Sequence, residues 1–218
     1  MAGLSLQGQK NTYDGVASTQ ITSEELGIAG IHTGNYQKVQ SNYYDWRMMS
    51  AFLRANYNFR YKYYLTFSFR ADGSSKFAAG NRWGYFPAAS AGWIVDEEAF
   101  WPRNKVVSSL KLRASYGLTG NNGIGLYDTY GSYNSAYQYN GMSTTTTGEM
   151  PNSNLTWEST TQVNAGLDMG LADDRVRVSF DYYDKVTRNL LFDVTLPNTT
   201  GYGSVAVSYT HLTLPTIA

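Results

Sequence analysis

The sequence predicts an all-β fold built from antiparallel strands, and three observations lead to this prediction. First, apolar and polar residues alternate over several segments of about ten residues, the period of a strand with one apolar face. Second, the 218-residue chain is rich in tyrosine (19) and glycine (21), while only 16% of its residues are charged. Third, long and short polar links alternate between the predicted strands, as in a meander whose successive links lie at opposite ends.

Composition excludes several classes of protein. Basic and acidic residues number 17 each, so the net charge is zero and no nucleic-acid partner is expected. The absence of cysteine excludes disulfides and thiolate zinc sites. No run approaches the ~18 apolar residues of a spanning helix, and residues 1–10 lack the basic and apolar regions of a signal peptide.

Each predicted strand places its apolar side chains on one face and its polar side chains on the other. In one of them, Leu110 and Leu112 share a face, while Lys111 and Arg113 share the opposite face. Pro87 cannot donate to a ladder, which predicts that this position lies at a sheet edge or a strand start. The predicted strands are Met49–Phe59, Tyr63–Arg70, Tyr85–Val95, Ser109–Thr119, Gln162–Leu171 and Val176–Tyr183, with residues 1–10 alternating in the same way.

The links between these strands differ strongly in length. Arg60–Lys62 and Ala172–Arg175 are tight, and Asp96–Val107 is intermediate. Short helical turns are predicted at Ser23–Leu26 and Asp96–Trp101. The long links, rich in Gly, Ser, Thr, Asn and Tyr, are Asn11–Asn42, Asp72–Gly84 and Gly120–Trp157.

Short turns at one end and large loops at the other are the layout of an outer-membrane β-barrel. Strands of ~10 residues suit a tilted membrane strand, and aromatic residues near strand ends suit an interfacial girdle. About seven strands cannot close a barrel with loops of this size, so the barrel is predicted to be incomplete. The alternative is a soluble all-β carbohydrate-binding module, a sandwich whose strands alternate with the apolar face inward. The girdle candidates are Tyr43, Tyr44, Trp46, Trp83, Tyr85, Trp93 and Trp157.

Five motifs carry a family resemblance in their order and spacing, over roughly residues 43–202. Together they resemble the barrel of the SusC/RagA family of TonB-dependent outer-membrane transporters. Arg70 and Arg82 of the first motif could pair with Asp72 or line a wet interior. The motifs are Arg70–Phe77 with Asn81–Pro87, Leu110–Gly117, Thr119–Asn122, Asn154–Glu158 and Asp181–Lys185.

The resemblance implies a barrel of about 22 strands with an N-terminal plug, in the outer membrane and energised through TonB. It implies import of oligosaccharide or oligopeptide substrates together with a SusD-like surface lipoprotein, contact with outer-membrane lipid, and no cofactor. These motifs are wall and turn elements, so no site residue follows from them. Signal peptide, TonB box and plug have no counterpart in this sequence, which predicts that it is a fragment of its parent protein.

The two parts of the chain, residues 1–205 and residues 206–218, are expected to differ in origin. Residues 1–205 are interpreted as part of the barrel with long extracellular loops. Residues 206–218 are interpreted as a non-native tail, because Val207–Thr216 resembles a translation of a transposase-derived adapter used in DNA library preparation. His211 would then be an artefact, and His32 the one native histidine.

A tyrosine-rich stretch of the longest loop is the candidate substrate site. Aromatic faces interspersed with amide side chains suit a neutral polar ligand such as an oligosaccharide. The alternative is that the rings pack the loop against itself or a partner. The candidate residues are Tyr127, Tyr130, Tyr133, Tyr137 and Tyr139.

No enzyme activity is predicted. A hydrolase would have to use His32, which lies in a loop with Gly30, Thr33 and Gly34 and is interpreted as a solvated loop histidine. The acidic pairs Glu24–Glu25, Glu97–Glu98 and Asp173–Asp174 are adjacent in sequence and are interpreted as solvated turn residues. Gly120–Gly125 lacks the Gly-Lys-Ser/Thr ending of a phosphate loop, and no calcium-loop spacing is present.

Overall fold

The computed structural model describes residues 1–21, 23–34, 36–101 and 106–209, with the backbone alone for 24, 36–38 and 135–138. Within those residues the regular structure is almost entirely β. Two short 3-10 segments, Glu24–Thr33 and Asn198–Thr200, interrupt it. The strands are β1 Ala2–Thr19, β2 Tyr36–Phe59, β3 Tyr63–Ser74, β4 Trp83–Ile94, β5 Val107–Asn121, β6 Tyr133–Tyr139, β7 Met142–Thr147, β8 Glu158–Leu171, β9 Val176–Arg188, β10 Leu190–Thr195 and β11 Ser204–Tyr209.

Seven of the strands form one sheet in the order β1-β2-β3-β4-β5-β8-β9. The ladders from β2 to β9 are all antiparallel, and each strand pairs with the next one along the sheet. The insertion between β5 and β8 forms a separate hairpin, β6–β7, and β10–β11 forms another. The predicted all-β antiparallel meander is confirmed.

The chain divides into two compact units, residues 7–47 and the remainder, residues 1–6 with 48–218. In the smaller unit, the Trp46 indole donates to Gln9 at 3.1 Å, and the Lys10 ammonium lies 5.2 Å from the centre of the Tyr43 ring. These polar contacts join the outer parts of β1 and β2 across the ladder.

The prediction of a loop over Asn11–Asn42 was wrong, because β1 runs to Thr19 and β2 starts at Tyr36. Both faces of these strand extensions carry polar side chains, so the alternation that identifies a half-buried strand is absent from the sequence. Tyr43, Tyr44 and Trp46 accordingly lie inside β2 and not at its end.

The two predicted helical turns had different outcomes. Glu24–Thr33 is a 3-10 segment, which confirms the one predicted at Ser23–Leu26. Asp96–Trp101 consists of turns instead, held by bonds from Glu98 N–H to Val95 C=O and from Trp101 N–H to Glu98 C=O. In the described ranges, no helix has both the length and the apolarity to cross a membrane.

The predicted tight links at one end of the sheet are confirmed. Arg60 and Tyr61 adopt left-handed conformations (φ 53° and 58°) between β2 and β3. Ala172, Asp173 and Asp174 do the same between β8 and β9, with φ between 54° and 61°. Such consecutive left-handed residues reverse the chain within a few positions, as short hairpins require.

Pro87 lies in an interior strand, since β4 has β3 on one side and β5 on the other. The residue pairs with Phe69 of β3, but the β4–β5 register begins only at Ala88. The sequence predicted a sheet edge or a strand start at this position, but β4 is an interior strand that starts at Trp83. Pro87 itself, however, has no paired residue in β5. A residue without an N–H is tolerated at such a position, because no ladder hydrogen bond is required on that side.

The buried apolar cluster lies at the long-loop end of the sheet. Its centre is the ring of Phe77, which is 0% exposed, against Trp157 at 5.3 Å between ring centres. Trp157 was predicted to lie in an interfacial girdle, but it is buried here because the loops fold over it. The cluster consists of Phe77, Phe86, Ile124, Leu155, Trp157 and Ala206.

Candidate functional site

The register of the sheet produces two chemically different walls. On one wall, Phe67 of β3 stands between Ala55 of β2 and Ala89 of β4, followed by Tyr116 and Val163. This wall is exposed: Phe67 keeps 47% of its accessible surface although it lies in an interior strand. A soluble sandwich would cover this face with a second sheet. The exposed apolar wall instead matches a surface that faces lipid.

The opposite wall is polar and carries a charge cluster. Arg113 donates to both carboxylate oxygens of Asp168, at 2.8 and 3.0 Å, and to Asp181 at 3.0 Å. The Ser179 hydroxyl donates to Asp168 at 2.6 Å. Asn164 lies beside this cluster on a concave surface. The wall can therefore contact water, polar ligands or another polar protein surface.

A polar and aromatic cluster closes the short-turn end of the sheet. The Tyr63 hydroxyl and the Trp93 indole donate to Glu98, and Lys62 lies 3.6 Å from its carboxylate. The hydrogen bond from Tyr63 lowers the pKa of Glu98, with Trp93 and Lys62 acting in the same direction. The rings of Tyr63 and Trp93 stack at 6.3 Å, as expected of an interfacial girdle.

The first motif begins with an ion pair inside the sheet. Arg70 Nε lies 2.7 Å from Asp72, and its Nη2 donates to the Ser50 hydroxyl at 3.2 Å. Asp72 is buried, so the pairing that the sequence suggested for Arg70 satisfies a carboxylate that is shielded from water.

The rest of this motif joins two loops, 75–82 and 122–157. The Thr129 hydroxyl donates to the Lys76 carbonyl at 2.7 Å, and the Lys76 ammonium donates to the Ile124 carbonyl at 3.0 Å. The Trp157 indole donates to the Arg82 carbonyl at 3.0 Å. Arg82 does not pair with Asp72; its guanidinium donates to the Phe77 carbonyl instead. We refer to these contacts, between Lys76–Arg82 and the 122–157 segment, as the loop latch.

Two of the candidate tyrosines lie in a single turn beside the latch. The N–H groups of Tyr130 and Gly131 both donate to the Tyr127 carbonyl at 2.8 Å, and Gly131 has a φ of 75°. The side chains of Tyr127 and Tyr130 are 42% and 55% exposed. Their rings are thus open to solvent while the backbone that carries them is hydrogen-bonded.

The other candidates belong to the β6–β7 hairpin. Tyr133 and Tyr139 are largely exposed, and the side chain of Tyr137 lies outside the described residues. Odd-numbered positions of a regular strand share one face, but the register shifts by one residue between Asn134 and Tyr137. An extra residue in one strand turns the side chains that follow it to the opposite face. Tyr133 and Tyr139 therefore lie on opposite faces of the hairpin.

The acidic side chains do not form a metal site in the described part of the chain: no group of three or more His, Asp or Glu there could hold an ion. His32 lies in the 3-10 segment. Burial raises the pKa of Glu149, and the neighbouring carboxyl of Asp128 adds to this shift. This pair is at the base of the β6–β7 hairpin, where the Glu149 N–H bonds to Ser132.

Sequence reasoning missed the parts of the site that depend on contacts between distant segments. Thr129 and Lys76 are 53 residues apart, and neither carries a recognisable signal alone. Glu98 was interpreted as a solvated turn residue, yet it accepts hydrogen bonds from Tyr63 and Trp93 and forms an ion pair with Lys62. The sequence offered one signal for this cluster: Trp93, whose indole can donate a hydrogen bond, lies a few residues before the acidic pair Glu97–Glu98.

Comparison with known proteins agrees with this architecture. The family model described as TonB dependent receptor-like, β-barrel matches residues 2–213. A TonB-dependent receptor of Formosa agariphila is 34% identical over 211 residues, covering 94% of this chain and 21% of the relative. The TonB-dependent receptor SusC of Bacteroides thetaiotaomicron is 39% identical over 164 residues, covering 72% of this chain and 16% of SusC. The chain thus spans about a fifth of these curated relatives, or less.

A solved structure of the RagAB peptide transporter superposes with a TM-score of 0.75 at 26% identity, covering 94% of this chain and 24% of that one. These matches confirm the resemblance to the SusC/RagA family, and they fit a sheet that is an incomplete part of a larger barrel. The chain therefore belongs to the TonB-dependent receptor-like β-barrel family, and its place is the outer membrane.

Proposed function

We propose that this chain is a wall segment of a transporter that imports oligomeric nutrients across the outer membrane. The observation that carries the proposal is a single antiparallel sheet with an exposed apolar wall and a polar wall, bounded by short turns and long loops. The relatives are named as receptors and transporters, which supports transport as opposed to catalysis. TonB would energise the whole protein through regions outside these residues.

The substrate class is a glycan or peptide fragment, and a SusD-like surface lipoprotein is the proposed partner. The match to SusC supports the partner, and the match to a peptide transporter supports a peptide as one of the two substrate classes. Within the chain, we assign ligand capture to the aromatic side chains of the long loop. Exposed rings on a hydrogen-bonded turn offer flat apolar surface to sugar rings or peptide side chains alike.

The test uses the whole transporter that contains this sequence, purified in detergent. Maltoheptaose serves as the glycan probe and a tryptic casein digest as the peptide probe, with binding measured by calorimetry. Replacing both Tyr127 and Tyr130 with alanine should weaken binding of one probe by about tenfold or more, because each stacked ring contributes ~1 kcal/mol. The matched control replaces both with phenylalanine, which keeps the rings. Equal affinity of the alanine variant and the wild type would refute the assignment.

The partner proposal has its own test. Long-read sequencing of the source locus should show a SusD-like gene next to this one, and the tagged transporter should co-purify with its product. A locus without such a gene, together with a transporter that binds its probe unaided, would refute it.

We also propose that residues 206–218 derive from the sequencing adapter. The resemblance of Val207–Thr216 to the adapter translation supports this origin. Residues 206–209 nevertheless form the end of β11 and pair with β10, while residues 210–218 lie outside the described residues. Long-read sequencing across the locus should replace these residues with a different continuation of the reading frame. A native frame that encodes residues 206–218 as given would refute the proposal.

A further inference from the structure

We propose that Thr129 is a positioning residue, which holds Tyr127 and Tyr130 in their binding geometry through its hydrogen bond to Lys76. The inference rests on the proposed ligand capture by these two tyrosines. It adds that the 75–82 loop, which carries none of the binding rings, controls the affinity of the site.

Thr129 is buried between two exposed tyrosines. Thr129 is 3% exposed, whereas Tyr127 and Tyr130 on the same turn are 42% and 55% exposed. Its hydroxyl donates to the Lys76 carbonyl at 2.7 Å. A buried hydroxyl with one short bond to a distant loop helps to fix the backbone of its turn, because breaking that bond leaves a buried polar group without its partner.

The 75–82 loop that receives this bond is itself held by buried contacts. Phe77, directly after Lys76, is fully buried against Trp157, and the Trp157 indole donates to the Arg82 carbonyl. The Lys76 ammonium is bonded to the Ile124 carbonyl, which precedes the tyrosine turn. Lys76 therefore contacts the 122–157 segment on both sides of Tyr127.

The turn makes two further contacts with other parts of the chain. The Asn152 N–H donates to the Asp128 carbonyl at 3.0 Å. Arg82 Nη2 lies 3.4 Å from the Tyr130 hydroxyl, so the latch also contacts one of the two side chains directly. Two contacts thus hold the turn and a third holds the Tyr130 side chain, so ligand binding need not order this part of the loop. Preorganisation of this kind removes the ordering cost from the binding free energy.

The two tyrosines of the hairpin provide an internal contrast. Tyr133 and Tyr139 lie on opposite faces of β6–β7, so a single flat ligand surface cannot contact both. Loss of the Thr129 bond should therefore reduce the contribution of Tyr127 and Tyr130 and leave any contribution of the hairpin rings in place.

The test compares Thr129→Val with Thr129→Ser in the whole transporter. Valine keeps the shape without the hydroxyl, while serine restores the donor. Valine should weaken binding of maltoheptaose or the casein digest, whichever the wild type binds, by about fivefold, the typical effect of one hydrogen bond. Serine should stay within about twofold of the wild type. Thr195→Val, at an exposed position of β10, is the matched control and should change nothing.

Two further readouts separate positioning from a merely structural role. Amide exchange at Tyr130 and Gly131 should be faster in Thr129→Val than in Thr129→Ser. In the Tyr127→Ala/Tyr130→Ala background, the valine substitution should have no further effect on affinity, since no rings remain to be positioned. Full affinity of Thr129→Val, or an equal loss in both backgrounds, would overturn the proposal. Failure of the proposed function is distinguishable, because there the alanine variant itself would bind like the wild type.

Discussion

Replacing Phe67 with arginine would place a charge on the apolar wall near the middle of the membrane. Phe67 lies four residues after Tyr63, the first residue of β3 beyond the short turn. At ~3.4 Å per residue the distance along the strand is ~14 Å. With a strand tilt of ~40° this corresponds to a depth of ~10 Å, close to the centre of an apolar band ~25 Å tall.

The expected cost combines two terms. An arginine on the lipid face near the midplane destabilises a barrel by ~2–4 kcal/mol. Loss of lipid contact by the half-exposed ring adds ~1 kcal/mol, about half of the value for a fully transferred phenylalanine side chain. The total of ~3–5 kcal/mol is a large share of the ~5–15 kcal/mol that ordinarily separates folded from unfolded states.

The assay is urea unfolding of the whole transporter in phospholipid vesicles, followed by tryptophan fluorescence. The matched control is Thr66→Arg, on the adjacent residue and the opposite wall. Thr66 stands between Asn56 and Ser90, both neutral, and loses a hydrogen bond to Asn56 worth ~1 kcal/mol. Equal destabilisation by the two arginines, or a larger loss for Thr66→Arg, would refute the assignment of the apolar wall to lipid.

Three further predictions concern the ends of the sheet and its polar wall. Phe77→Ala should destabilise the loop latch by ~3–5 kcal/mol and speed protease cleavage in the long loops, because the ring is fully buried. Glu98→Gln should make the protein lose less stability in acid. The pKa of Glu98 is lowered in the folded protein, so the carboxylate stabilises the fold above the ordinary pKa of 4.5. This stabilisation is lost as the pH falls from 4.5 through the lowered pKa. Arg113→Met should leave the urea-unfolding midpoint almost unchanged, because the ion pairs with Asp168 and Asp181 are well exposed to solvent.

Each of these has a contrary result. Unchanged cleavage of the long loops in Phe77→Ala would show that the latch is not held by its apolar cluster, with Phe192→Ala as an exposed comparison. An acid titration of Glu98→Gln that parallels the wild type would remove Glu98 from the turn-end cluster. A large loss of stability in Arg113→Met, together with near wild-type stability in Arg113→Lys, would show that the polar wall is shielded from water in the whole protein.

The sequence predicted the sheet well where one face of a strand is apolar. The strands around Phe67, Leu112 and Leu167 were identified because neighbouring side chains alternate, a property of the pleat that needs no knowledge of the partner strand. The turns at Arg60–Lys62 and Ala172–Arg175 were identified for the same local reason. The extensions of β1 and β2 were missed because both of their faces are polar.

The candidate site was predictable only in part. The tyrosines stand out by composition, but their arrangement depends on a one-residue shift between β6 and β7 that no local pattern encodes. The motif at Arg70–Phe77 was recognisable as a family feature, while its role in joining two loops was not. The Lys76 carbonyl accepts a hydrogen bond from Thr129, and no spacing rule connects residues so far apart in the chain.

What the sequence determined by itself was therefore the two-faced sheet with turns at one end and loops at the other. This follows from binary patterning, which acts between residues one and two positions apart. The tertiary structure alone decided which groups meet at the loop end: Trp157 with Arg82, Thr129 with Lys76, and Phe77 at the centre. Those contacts form only after loop closure brings distant segments together, so their energy depends on the completed fold and leaves no periodic trace in the sequence.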